Sequence, residues 1–363
     1  MLKVKSREIL REMETYVPGR PIEDVQREYG LKDVVKIASN ENPYGCSPLV
    51  MPAVMATEGQ TRLYPDGNCG KLREAISERL GVNPKRIIFG CGTGELILLI
   101  GKAFISEGDE CITAGVTFSQ YAAAAVSMGG KMVFSPLRDH AFDLDDIKNK
   151  ITARTKAVFL ANPNNPTGTY FNREAQERFM EGVPPEVLVV VDEAYSEFVV
   201  APDFPDTLSM LDRYDNMVLT RTFSKIYGLA SYRVGYGILC EEAAELIGKI
   251  RPPFNVTVQG QAAALAAYGD EGFVQGCREK NAEAMEYMRG VFDEMGLYYI
   301  PGSANFLMVD VKRDCDGVFT DLMKKGYIIR TGGAFGMPSF IRVSMGTMDE
   351  MRGFARAFRE VMG

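Results

Sequence analysis

Tryptophan is absent from this 363-residue sequence, and histidine occurs once, at position 140. A Ser-His-Asp or Cys-His arrangement would have to rest on His140 alone, in the polar stretch RDHAFDLDD, which reads as a solvated loop. Histidine-based metal sites fall to the same count, and no metal is expected. If the chain is an enzyme, its protons are carried by another residue type. The cysteines (Cys46, Cys69, Cys91, Cys111, Cys240, Cys277 and Cys315) are odd in number, scattered and never spaced C-x-x-C. That excludes a disulfide framework and a structural zinc, and points to a reducing, cytoplasmic compartment. No apolar run is long enough to span a bilayer. The N-terminal MLKVKSREILREMETYV is amphipathic and charged, without the apolar core of a signal peptide. Positive charge is also in deficit: 41 Lys and Arg against 48 Asp and Glu leave a net charge of -7. Nucleic acid, which demands a basic face, is therefore not the expected partner, although a few buried arginines can still bind small anions.

What is present is an ordinary globular composition, 46% hydrophobic and 25% charged, in a chain long enough for two domains. Residues 1–30 read as a helix followed by Val17-Pro18-Gly19-Arg20-Pro21, an arm rather than a domain. From about 70 to 250 helical stretches (KLREAISERL, GELILLIGKAF, REAQERFMEG) alternate with short apolar runs (RIIFG, ECITAG, AVFLA, VLVVVDE, MVLTRT, VGYGILC). AVFLA and VLVVV are apolar on both alternating faces, as strands covered on both sides must be. The expectation is an α/β domain with a mostly parallel sheet flanked by helices. Pro252-Pro253 marks a boundary, followed by long helices over about 256–296, strands at ANFLMVDV, YIIRT and FIRVSMG, and a closing helix. The chain divides on this reading into an arm with part of the small domain (1–50), a large α/β domain (51–251) and a smaller α+β domain (252–363).

Four segments bear chemistry. In TRTFSKIYGLASYRVGYG, Lys225 at a strand end is a surface charge on the plain reading. With the hydroxyls of Thr222 and Ser224, and Arg233 eight residues on, it is also an amine able to form a Schiff base beside a bound phosphate monoester. In VLVVVDEAYSEF, Asp192 is either a helix N-cap or a carboxylate aimed into the crevice at the carboxyl end of a buried strand. There it could pair with a protonated pyridine nitrogen, with Tyr195 donating its hydroxyl to a phenolate oxygen. ANPNNPTG is a proline-rich turn in which Asn165 offers an amide to the same oxygen. GCGTGELILLIGKAF is a glycine-rich strand-to-helix loop whose free N–H groups suit a phosphate, a signal that several nucleotide folds share. Glu95 within it reads as a first-turn helix charge. Phe118 is core, or stacks on a flat heteroaromatic ring.

In this order the segments resemble the fold-type-I pyridoxal-phosphate enzymes of the aspartate-aminotransferase superfamily over nearly the whole chain. KIASNENPYGCSP, RLYPDG, TFSKIYGLASYRVGYG and GGAFGMPSFIRVSMGT are similar to the histidinol-phosphate aminotransferase family. The resemblance implies pyridoxal 5'-phosphate as cofactor and transfer of an amino group between L-histidinol phosphate and 2-oxoglutarate. Related families of similar appearance act on aromatic amino acids or decarboxylate threonine phosphate, and an inert binding protein of the same fold is the remaining alternative. The resemblance further implies that Lys225 bonds the cofactor, Asp192 meets its ring nitrogen, and Tyr195 with Asn165 meets its phenolate oxygen. Phe118 would stack on the ring. Gly92, Thr93 and Gly94, with Thr222, Ser224 and Arg233, would hold the phosphate. It implies a homodimer with shared sites, in which Tyr64 reaches the phosphate from the other subunit. Tyr16, Asn42, Asn165, Arg330 and Arg342 would line the substrate pocket, since a carboxylate and a phosphate ester both need cationic forks. Three positions depart from the common pattern. Gly94 stands where relatives often carry Asp, Cys46 replaces a proline, and Ser231-Tyr232 replaces an Ala/Gly-Leu pair.

Overall fold

Apolar β-branched runs that alternate with amphipathic helices can bury both faces only as the middle layer of a sandwich, and they do so here. The structure is a computed structural model that describes residues 4–11, 13 and 19–363. Its strands are β1 (Val35–Lys36), β2 (Ile87–Gly90), β3 (Glu110–Ala114), β4 (Lys131–Ser135), β5 (Leu137–Arg138), β6 (Ala141–Phe142) and β7 (Thr155–Ala161). After these come β8 (Leu188–Asp192), β9 (Met217–Thr222), β10 (Gly235–Ile238), β11 (Phe306–Asp310), β12 (Tyr327–Ile328), β13 (Arg330–Thr331) and β14 (Phe340–Ser344). The main sheet has seven strands in the order β2-β10-β9-β8-β7-β3-β4. Only β10 runs antiparallel to its neighbours, so the sheet is mostly parallel as expected. Every residue of the central β8 is buried.

The helices Thr93–Phe104, Gln120–Ser127 and Glu241–Ile250 pack on this sheet. In the first, Leu96, Ile97, Leu99 and Ile100 form the buried stripe that helical periodicity requires. A second, three-stranded antiparallel sheet, β11-β14-β13, carries the C-terminal part, and β1 joins that region by pairing in parallel with β12. Apolar side chains from Val50 to Cys277 pack into the core around the large sheet, together with Ala304 and Phe306. Most of those from Ala284 onward, with Ile37, form the core around the small sheet, and Val25, Ala38, Met323 and Ile328 form a small third cluster. The change of core therefore falls inside the 24-residue helix Glu271–Glu294.

Two local expectations are corrected. Among the described residues the N-terminal arm has a 3-10 turn at Glu8–Arg11, and its α-helix, Ile22–Tyr29, begins after the Pro-Gly-Arg-Pro run. Pro21 occupies the N-cap at φ -63, where its missing N–H costs nothing, Glu23 and Asp24 fill the first turn, and Gly30 closes the helix at φ 66. His140 is not in a solvated loop. It forms the tip of the β5–β6 hairpin, half-buried, with its ring 5.9 Å from Tyr298 and 6.2 Å from Phe340. Among the described residues no helix is long and apolar enough to cross a membrane.

Candidate active site

All the parallel strands of the large sheet point their carboxyl ends to one edge, where the backbone leaves the sheet and polar side chains can face a crevice. β2 ends there in Gly90, and Gly92 opens the helix Thr93–Phe104 at φ 77. A Cβ on Gly92 would lie 2.6 Å from the Arg233 guanidinium, so only glycine allows this approach. Arg233 Nη1 donates in turn to Ser224 Oγ at 3.3 Å, and the Ser224 N–H donates to Thr222 Oγ1 at 3.1 Å. The helix N-terminus at 92–94, the Ser224 hydroxyl and the guanidinium thus form one cup with the chemistry of an anion site. Glu95 faces the loop backbone, its Oε2 accepting from Cys91 N–H and Asn255 Nδ2, each at 2.6 Å. Its role as a first-turn charge agrees with the sequence reading. At Gly94 a Cβ would meet nothing within 4 Å.

Asp192 is the last residue of β8, in register with Ala161 of β7 and Thr220 of β9. It is 4% exposed. Tyr121 donates its hydroxyl to one carboxylate oxygen at 2.9 Å, and the other oxygen has no hydrogen-bond partner. Burial pushes the carboxyl up to about 6, against the hydrogen bond from Tyr121, which holds it down. A buried carboxylate with an open lone pair is costly unless a cationic N–H completes it. The Tyr121 ring stacks on Phe159 at 5.5 Å and meets Phe118 edge-on at 5.6 Å.

Lys225 follows β9 by three residues. Its ammonium donates to the Ser39 carbonyl at 3.0 Å and lies 5.6 Å from the centre of the Tyr195 ring. Tyr195, 5% exposed, accepts a hydrogen bond from Asn40 Nδ2 at 2.9 Å. Asn165 accepts through its side-chain oxygen from Arg342 Nη1 at 2.5 Å, which leaves its amide nitrogen to act as a donor. Arg342 also donates to the Ala38 carbonyl at 2.5 Å, and Arg330 stands directly across from it in the β13–β14 ladder.

This fold and these sequence features have close counterparts. The profile described as aminotransferase class I and II matches residues 32–358. The chain belongs to that family. Among its relatives, the histidinol-phosphate aminotransferase of Moorella thermoacetica is 46% identical, covering 99% of this chain and 93% of that protein. The Bacillus licheniformis protein of the same name is 46% identical, covering 98% of each. A crystal structure of histidinol-phosphate aminotransferase from Sinorhizobium meliloti in complex with pyridoxal-5'-phosphate superposes with a TM-score of 0.90. It is 29% identical and the match covers 99% of this chain and 98% of that one. A Thermus thermophilus aspartate aminotransferase double mutant shares the fold at 20% identity, TM-score 0.85, covering 99% of this chain and all of that one.

In this aminotransferase the sequence-derived site residues do not all gather in the cleft. Asn42 spends its amide on structure: Nδ2 donates to the Ile226 carbonyl at 2.7 Å and to Cys277 Sγ at 3.2 Å, while Oδ1 accepts from Tyr44 N–H at 3.0 Å. Tyr64 is 82% exposed and stacks on Phe254 at 4.7 Å. Tyr16 lies outside the described residues. Sequence reasoning missed Tyr121, whose partner is 71 positions away. It also missed the run Ala38-Ser39-Asn40, which contacts Arg342, Lys225 and Tyr195 in turn. A third omission is the ion pair of Glu193 with Arg221 at 2.7 Å, the glutamate fully buried, which joins the ends of β8 and β9. Only the second had a signal, the polar SNEN following an apolar strand.

Proposed function

We propose that this chain is a pyridoxal-phosphate-dependent transaminase that moves an amino group between L-histidinol phosphate and 2-oxoglutarate, giving imidazole-acetol phosphate and glutamate, in histidine biosynthesis. The cofactor follows from one observation above others. The buried Asp192 carboxylate has one oxygen taken by Tyr121 and the other open, as a protonated ring nitrogen requires. Relatives at 46% identity over nearly the full chain support the substrate.

When bound, pyridoxal phosphate supplies an aldehyde that condenses with amines and a ring that accepts electrons from the substrate carbon. The residues of the chain do the rest. Lys225 Nζ would bond the cofactor's aldehyde carbon at rest and, once displaced by the amino substrate, would carry the proton from the substrate Cα to that former aldehyde carbon. Asp192 keeps the ring nitrogen protonated. Tyr195 and Asn165 donate to the phenolate oxygen, and Phe118 covers the ring face. The 92–94 amides, Thr222, Ser224 and Arg233 hold the cofactor phosphate, while Arg342 and Arg330 bind substrate anions as planar forks.

The same reading makes the chain a homodimer, with Tyr64 of the partner subunit reaching the phosphate. Exposed Leu49, Met51, Met55, Leu63 and Tyr64, with Phe254 stacked on Tyr64, support it, because so many large apolar groups close together favour a covered surface. A cytoplasmic location is supported by seven cysteines that are all unpaired. The test has two arms. Borohydride reduction of cofactor-saturated protein should tag the peptide that contains Lys225. A panel of histidinol phosphate, phenylalanine, tyrosine and threonine phosphate should show fastest loss of cofactor absorbance with the first. An untagged Lys225 peptide refutes the cofactor assignment. Carbon dioxide release from threonine phosphate refutes the reaction assigned.

A further inference from the structure

Asn40 sits in the left-handed region at φ 58, which asparagine tolerates better than most side chains. It is 1% exposed and lies between Tyr195 of the large sheet's edge and Ser344 of β14. The proton directions along this chain of contacts can be derived. The Asn40 backbone N–H can only donate, so Ser344 Oγ, 3.0 Å away, accepts from it. The Ser344 hydroxyl donates to Asn40 Oδ1 at 2.7 Å, the amide standing with its oxygen toward Ser344. Nδ2 is left facing Tyr195, 2.9 Å from the phenolic oxygen, and it too can only donate. Tyr195 therefore receives a hydrogen bond there and must direct its own proton elsewhere. Asn305 Nδ2 pins the Asn40 carbonyl at 3.1 Å, so the residue is held on every polar atom.

Resting on the pyridoxal-phosphate reading above, we infer that Asn40 and Ser344 are positioning residues that turn the Tyr195 hydroxyl proton toward the cofactor's phenolate oxygen. Ser344 lies two residues beyond Arg342 on the same strand, so its side chain shares that strand's face. The strand that carries the substrate-binding arginine thereby also sets the hydrogen bond that tunes the cofactor. Asparagine meets both demands at position 40: it accepts the backbone conformation and supplies one acceptor and one donor on opposite sides.

The test is a pH titration of visible absorbance in pyridoxal-phosphate-loaded protein. Donation to the phenolate oxygen favours its ionised form, so loss of donation raises the titration midpoint. Tyr195→Phe should raise it by about one unit, a tenfold change. Asn40→Asp presents an acceptor to Tyr195 and should raise it similarly, with no further rise when added to Tyr195→Phe. A bare charge effect would raise the midpoint equally in both backgrounds, and that result overturns the inference. So does a wild-type midpoint in Asn40→Asp where Tyr195→Phe is shifted. Ser344→Ala should shift the midpoint the same way by less, and Ser344→Thr, which restores the hydroxyl, should return it. Asn40→Gly keeps the left-handed backbone and serves if the aspartate variant does not fold. In it Ser344→Ala should have no effect, and an undiminished shift there overturns the inference. Wild-type protein without a titrating cofactor band would instead remove the functional reading itself, and the inference with it.

Discussion

The two walls of the cleft are built in different ways. Along the edge of the large sheet, Gly92, Asp192, Thr222, Ser224 and Lys225 each lie at or within three residues of a strand's last position. On the other wall Arg342 sits inside a strand of the small sheet, and its partners Asn165 and Ala38 are 177 and 304 positions away. The first wall is a set of local turns that happen to share an edge, and the second exists only once distant segments have been assembled. On the proposed function, the first would touch the reacting bonds and the second would offer forks for a substrate's anionic end. Damage to the first should therefore appear in kcat and damage to the second in KM.

The sharpest break comes from Lys225→Ala, which should lower kcat by at least about 10³-fold while the protein still binds pyridoxal phosphate. Single-turnover assays with histidinol phosphate would measure it, and near-normal turnover would end the assignment. Next in size is a stability effect at Asp192. Burial lifts its carboxyl from 3.8 to about 6. Between those values the cofactor-free folded chain keeps a proton that the unfolded chain has released. Stability from this group is therefore full below about pH 4 and lost as pH rises through about 6. Asp192→Asn should flatten that decline, a difference of up to about 3 kcal/mol in urea unfolding followed across this window.

On the opposite wall, Arg342→Lys should raise the KM for histidinol phosphate or 2-oxoglutarate by about 10–50-fold with little change in kcat, because a point charge replaces a planar fork. A fall confined to kcat would dissolve the contrast between the walls. Tyr64→Phe should weaken cofactor binding by about tenfold, the worth of one hydrogen bond to a charged phosphate, measured by equilibrium dialysis. If the loss were the same in monomeric protein, the shared site would be refuted. The smallest effect belongs to Gly94→Asp, which faces open space in the first turn of a helix. Unfolding stability should stay within about 0.5 kcal/mol of wild type.

Much of the first wall was legible because its causes are local. VLVVVD, MVLTRTFSK and the GCGTG loop each announce a buried strand followed by a residue that cannot stay buried without a partner. Tyr121 was not legible, since nothing in FSQY shows that its hydroxyl will meet a carboxylate 71 positions on. Nor was Asn40, whose value depends on Ser344 at a separation of 304. Asn42 illustrates the converse: its motif marks the segment correctly, but its amide holds the Ile226 carbonyl behind Lys225. The helix of the N-terminal arm was displaced by its punctuation, because Pro21 starts a helix as readily as it ends one.

The amino-acid order alone thus determined the layered α/β architecture, through runs apolar on both faces, and the identity of the groups at the strand ends, through side chains that need a charge or a ligand. Tertiary structure alone decided which of those groups meet and which way their hydrogen bonds run. A hydrogen bond acts over about 3 Å and depends on direction, whereas hydrophobic patterning requires only that a residue face inward.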